Sequence, residues 1–154
     1  MRALSALLLV FFFVSPALAQ PTAAQPQTPS EVFAHYGLFG EWAIDCAAKA
    51  SPSNPHVSVK RETGGIVETH DLGPDYAVNS YRVTEAKGLS PTRVSVDVSF
   101  QAADHKAQPQ KLVFSVRDDT RRTLFTKVEG GPVRVKNGVA VGFGIKTPRL
   151  KKCG

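Results

Sequence analysis

The sequence predicts an all-β fold: an antiparallel up-and-down barrel of eight or nine strands, preceded by one short helix. Three observations carry this prediction. Apolar and polar residues alternate with a period of two, most plainly where Val94, Val96, Val98 and Phe100 oppose Arg93, Ser95, Asp97, Ser99 and Gln101. Turn signals built from Gly, Pro, Asn and Asp recur at intervals of about 8–12 residues, the spacing of a sandwich or barrel. The connections are too short for the crossovers that parallel strands require. An antiparallel sheet of this size must pair or close its edges, which leaves a barrel or a sandwich.

The chain has 154 residues, and its first nineteen read as a secretory signal peptide. Arg2 gives a positive start, residues 3–14 are one apolar run, and Ala17-Leu18-Ala19 precedes Gln20 as a cleavage site. The run is shorter than the about 20 apolar residues that span a bilayer, and no second apolar span follows. The expected product is therefore an exported protein of the periplasm or the extracellular space, without a transmembrane segment. Residues 20–30 are rich in Pro and Gln and lack charge until Glu31, as a flexible linker would be. Residues 31–154 are then expected to form a single barrel domain.

Within that domain, Ser30 is a candidate cap for a helix over residues 31–36, with Gly37 as its stop. A first strand over residues 38–46 would place Leu38, Gly40, Trp42, Ile44 and Cys46 on one face. Strands over 56–62 and 66–71 are joined by Gly64-Gly65, and a third over 76–84 follows Gly73-Pro74-Asp75. Lys87-Gly88 and Pro91 mark the next turn, before the alternating strand over 92–102. Residues 111–117 and 121–128 form a pair around Asp118-Asp119. The segment 121–128 has apolar residues at both parities, Leu124 and Val128 against Phe125, so its facing is ambiguous. Asn137-Gly138 between 133–136 and 139–145 is a strong hairpin signal.

The two cysteines, Cys46 and Cys153, read as a structural disulfide in an oxidising compartment. They lack the C-x-x-C spacing of redox motifs and have no histidine pair beside them for zinc. Such a bridge would pin the segment 147–152 against the first strand and favour a closed sheet.

Charge is unevenly distributed. Residues 20–105 carry six Lys/Arg against ten Asp/Glu, whereas residues 106–154 carry twelve against three. Arg117, Arg121, Lys127, Arg134 and Lys136 fall on successive predicted strands. They form either a solvated outer wall or a surface for an anionic partner, such as a membrane, an envelope polymer or an acidic protein. Nucleic acid is not a partner expected of an exported protein.

Chemistry-bearing motifs are sparse. Of His35, His56, His70 and His105, only His70 has a carboxylate on its own strand face, Glu68. That pair suits acid–base or metal chemistry if a third group joins it, and otherwise is a surface pair. No Gly-x-Ser-x-Gly elbow or phosphate-binding Gly-rich loop is present. Asp118-Asp119 is explained by its turn. The expectation is a non-enzymatic protein without a cofactor.

A short helix followed by Leu38-Phe39-Gly40-Glu41-Trp42 resembles the N-terminus of lipocalins and the wider calycin group. The resemblance covers about fifteen residues, with Gly-x-Trp as its motif, and the long C-terminal helix of full-length lipocalins is missing. It implies that the helix closes one barrel end, that Trp42 packs at the barrel floor, and that Arg149 or Arg134 lies across it. The Gly40, Trp42 and Cys46 opening and the Leu150-Lys151-Lys152-Cys153-Gly154 ending also resemble small exported bacterial proteins. The resemblance implies a fold and not a ligand; the role expected of such an exported barrel is binding of a small apolar ligand or a cell-envelope partner. The alternative is a periplasmic inhibitor of a hydrolase such as lysozyme, although Val78-Asn79-Ser80-Tyr81 is only faintly similar to the Ser-Gly-x-x-Tyr loop of such inhibitors.

Overall fold

The structure is a computed structural model that describes residues 28–101 and 107–154. The expected signal peptide, the expected linker up to residue 27 and His105 lie outside the described residues. One helix, α1 (Pro29–His35), precedes ten strands: β1 (Gly40–Ala43), β2 (His56–Glu62), β3 (Gly65–Asp71), β4 (Asn79–Ser90), β5 (Arg93–Gln101), β6 (Gln108–Arg117), β7 (Thr120–Val128), β8 (Val133–Lys136), β9 (Val139–Ala140) and β10 (Arg149–Cys153). All neighbouring strands are antiparallel, in the order β10-β1-β2-β3-β4-β5-β6-β7-β8-β9, and β10 also pairs with β7. Eight strands therefore close an up-and-down barrel, and β8 and β9 form a hairpin outside the ring. Among the described residues no helix is long and apolar enough to cross a membrane.

The helix starts two residues before its expected first residue, and its cap is Thr28 rather than Ser30. Thr28 Oγ1 accepts from the Glu31 amide, and the Glu31 carboxylate accepts from the Thr28 amide. This reciprocal box satisfies two amides that the helix itself leaves free. Pro29, in the first turn, lacks the donor that would need a partner. The apolar residues Val32 and Phe33 face inward and, with Leu38 and Trp42, plug one barrel end. The Trp42 indole donates to the Leu38 carbonyl at 3.0 Å, so the ring is buried without an orphaned N–H.

The first strand is shorter than its alternation implies. It ends at Ala43, and Ile44 and Cys46 are exposed rather than inward. Cys153 lies opposite Glu41 in the register, so the chain bends back after Ala43 to bring Cys46 to it. The disulfide Cys46–Cys153 has a Cα–Cα distance of 5.6 Å and spans 107 positions of sequence. The loop that follows is held by buried Asn54, whose side chain accepts from the Asp45 amide and donates to the Asp45 and Lys49 carbonyls.

Two strand irregularities depart from the expected pattern. β4 runs through Lys87-Gly88 instead of turning there, and the turn falls at Pro91-Thr92. Gly88 serves close packing: a Cβ there would lie 2.5 Å from the Tyr36 hydroxyl, which donates to the Ser90 carbonyl. In β7 the register slips by one residue, so that Phe114 opposes Thr123 and Val113 opposes Phe125. Leu124 is the extra residue, and its carbonyl accepts from Gly138 of the outer hairpin at 2.8 Å. The bulge reverses parity along β7, which explains its apolar residues on both faces.

The 139–145 strand expected after Asn137-Gly138 is reduced to Val139–Ala140, and Val141 to Ile145 form an exposed loop. Asn137 and Gly138 both have positive φ, as a two-residue hairpin turn requires. β10 uses one edge to pair with β1 and the other to pair with the first half of β7, while β8 occupies the second half of that β7 edge.

Because the bridge fastens the strand that closes the barrel, replacing both cysteines (C46S with C153S) is expected to lower the unfolding free energy by about 2–5 kcal/mol. Urea unfolding followed by Trp42 fluorescence measures this, and an unchanged midpoint refutes it.

Candidate functional site

The barrel interior is divided into two parts. The half nearest α1 is filled by Val32, Phe33, Leu38, Trp42, Val59, Ile66 and Val94. The other half holds a cavity of 360 Å³ that is partly open to solvent, within the about 300–1,000 Å³ typical of small-molecule sites. Val83, Val96, Val98, Leu112 and Leu150 give it an apolar wall, and Pro52, Leu72, Val135 and Pro148 surround the end away from α1.

A buried polar cluster stands between the plug and the cavity. Glu68 and His70 project from β3 at the same parity, and Arg121 projects from the first half of β7 before its bulge. The Arg121 guanidinium binds Glu68 through two parallel bonds, Nη1 to Oε2 at 3.0 Å and Nη2 to Oε1 at 2.6 Å. Arg121 is 3% exposed and Glu68 5%. Burial acts to raise the Glu68 pKa, but the Arg121 charge and the His70 hydrogen bond outweigh it and hold the carboxyl well below the usual carboxylate range. An ionised carboxylate only accepts, so His70 Nε2 is the donor in the 2.6 Å contact with Oε1. Arg121 also lies 4.7 Å from the centre of the Phe114 ring and 5.6 Å from that of Trp42. Two hydrogen bonds and two aromatic faces thus compensate a cation removed from water.

Tyr81 borders the same cavity and packs its ring 4.8 Å from His70 and 5.0 Å from Phe100. Burial, and then the Glu68 charge, push its hydroxyl pKa up, with Arg134 opposing them. It therefore remains a neutral phenol that donates and accepts. Gln110 and Thr126 add further polar groups to the wall.

Several expected site residues stand elsewhere than the sequence reading puts them. Glu68 and His70 meet as their shared face implies, but inside the barrel rather than on its surface. Their third partner is Arg121, so this residue leaves the basic surface stripe. Arg117 lies beside the turn into β7, at the barrel end where α1 packs, whereas Lys127, Arg134 and Lys136 are exposed near the opposite end. The five residues therefore do not line one wall. Trp42 sits at the plugged end as expected, but neither Arg149 nor Arg134 lies across it. Arg149 is exposed, and the cations near the indole are Arg121 and Lys152, each 5.6 Å from its ring centre. Lys152 also donates to the Gly37 carbonyl at 2.9 Å. The sequence signal for Lys152 is its parity with Leu150 on the tail that follows Pro148. Asn79, Ser80 and Tyr81 belong to β4 rather than to a projecting inhibitor-type loop, with Tyr81 turned toward the cavity.

Chemically, the cluster orients and compensates. A general base works best with a pKa near the working pH, and Glu68 is held far below it with both oxygens engaged. Among the described residues no group of three or more His, Cys, Asp or Glu side chains is placed to hold a metal ion. No buried described side-chain N or O lacks a hydrogen-bond partner. Comparison of the chain with protein-family models, with curated proteins and with solved structures finds no match in any of the three.

Removing one member of the pair strands the other in the interior. Glu68→Gln is expected to cost about 3–5 kcal/mol, whereas Glu68→Leu combined with Arg121→Met is expected to be neutral or stabilising. Denaturant titrations of the single and double variants measure this, and equal losses refute it. The depressed folded pKa of Glu68 also fixes a sign. Its contribution is complete above its ordinary value of 4.5 and is lost as pH falls below that value, so wild-type acid unfolding is expected to be steeper than that of the double variant.

Proposed function

We propose that the protein is an exported, non-enzymatic binding protein whose barrel holds a small, mainly apolar ligand bearing one neutral hydrogen-bonding group. The observation that carries this reading is the 360 Å³ cavity, apolar along its walls and polar at one side. A filled interior would have left only the outer surface for a partner. Arg121 and Glu68 cancel each other's charge, and the guanidinium of Arg122, which also lines the cavity, is engaged by the Thr147 hydroxyl and the Gly138 carbonyl. Tyr81, Gln110 and Thr126 suit a hydroxyl, amide or carbonyl. The apolar run at residues 3–14 with its Ala17-Leu18-Ala19 end supports export, and the disulfide is compatible with an oxidising compartment. The helix-plugged end beneath Gly40-Glu41-Trp42 supports kinship with calycin-type carriers.

N-phenyl-1-naphthylamine, a neutral fluorescent amine, is the probe for this reading. Its emission is expected to rise saturably with wild-type protein, and Thr126→Trp, which fills the cavity, is expected to weaken binding about tenfold or more. Circular dichroism establishes that the variant is folded. Absence of a saturable signal, or equal binding by the filled variant, overturns the reading.

A further inference from the structure

We propose that the loop carrying Val141, Phe143 and Ile145 docks the protein onto an anionic phospholipid surface. The inference stands on the outer hairpin and is independent of what the cavity binds.

Phe143 is 81% exposed, Ile145 66% and Val141 52%. Three large apolar side chains within five residues turn outward. They alternate with Gly142 and Gly144, which have φ of 92° and 68°. This backbone is one that side chains rarely adopt, and it splays the apolar residues away from the sheet. The loop is nonetheless anchored. The Ala140 amide donates to the Ile145 carbonyl at 2.8 Å, the Gly144 amide to the Ala140 carbonyl at 3.1 Å, and the Val141 amide to the Arg134 carbonyl at 2.8 Å. Its base is clamped by Arg122, whose guanidinium donates to the Gly138 carbonyl and to the Thr147 hydroxyl. The tip is therefore presented on a fixed base, which lowers the ordering cost of binding.

The charge around the tip selects the partner. Residues 130–154 contain six Lys/Arg and no Asp/Glu. Arg134, Lys136 and Lys146 stand at the base of the loop, Arg134 bonded through its backbone to Val141 and both lysines in register with Val139. None of the three forms an ion pair with a carboxylate among the described residues. An apolar tip whose base carries three cations without a carboxylate partner matches a bilayer whose headgroups are negative and whose acyl region begins just beneath them. A polyanion alone satisfies the cations but leaves Phe143 and Ile145 in water, and an apolar protein groove does not call for the three cations.

Phe143→Trp places a reporter on the tip, against a Trp42 that is buried and serves as a constant background. The full chain is mixed with vesicles of equimolar phosphatidylglycerol and phosphatidylcholine, or of phosphatidylcholine alone. With the anionic vesicles, the added emission is expected to shift to the blue and to be quenched by lipids brominated on their acyl chains. Substituting Arg134, Lys136 and Lys146 together by Gln is expected to weaken this signal about a hundredfold, as is raising the ionic strength. Because the reporter sits on the loop tip, binding through the apolar run at residues 3–14 leaves it unmoved. An emission from the Phe143→Trp reporter that is neither shifted nor quenched overturns the proposal, as does equal insertion into neutral vesicles or a shift produced only by an added protein.

Discussion

Everything in this fold depends on β10 holding two edges at once. Five residues, Arg149–Cys153, bond to β1 on one side and to the start of β7 on the other. Without them the sheet would be an open, twisted ribbon with two bare rows of backbone donors and acceptors. There would then be no enclosed volume, and Arg121 and Glu68 would have no low-dielectric interior in which to meet. The strand is too short to hold by hydrogen bonds alone. Leu150 buries its side chain in the core, Lys152 reaches the Gly37 carbonyl, and the disulfide joins its last residue to the turn after β1.

The buried ion pair, in turn, sets the chemistry of the interior. A bidentate Arg–Glu contact with an additional His donor keeps the carboxylate ionised despite its burial. The polarity of the pair is turned on itself, so the pair adds no net charge to the cavity above it, whose wall also includes Arg122. Replacing the pair by apolar residues would extend the greasy plug and remove the polar side of the cavity. Stability therefore gives no strong reason for the pair. Its position at the boundary between plug and cavity is what the proposed ligand site uses.

Much of the architecture is legible in the sequence because the barrel wall obeys a period of two. The alternation at Val94 to Gln101, the Asn137-Gly138 turn and the two cysteines each point to the observed feature. The interior is harder to read. Arg121 resembles a surface charge because its strand shows no consistent parity, and the cause is the bulge at Leu124, which no local residue announces. Glu68 and His70 share a face as spacing dictates, but burial of a carboxylate is decided by a cation 53 positions away. The loop at Val141–Ile145 mimics a strand by alternation, yet the intervening residues are glycines with positive φ and the pairing with β8 stops at Ala140. Thr28 is obscured as a cap because the segment before it reads as a linker, while the diagnostic Thr-x-x-Glu spacing is present.

The shared edge of β7 also dictates an order of events. In a chain threaded out N-terminus first, nine strands are available before β10 exists, and β1 must wait for the far end of the sequence. During that interval β1 and the first half of β7 are unpaired edges of an incomplete sheet, able to join to each other's copies in neighbouring chains. The pairing that removes this hazard joins residues more than a hundred positions apart, which makes barrel closure a slow, late step. The outer hairpin occupies the remaining half of β7 meanwhile, so it limits the exposed edge while the last strand is awaited.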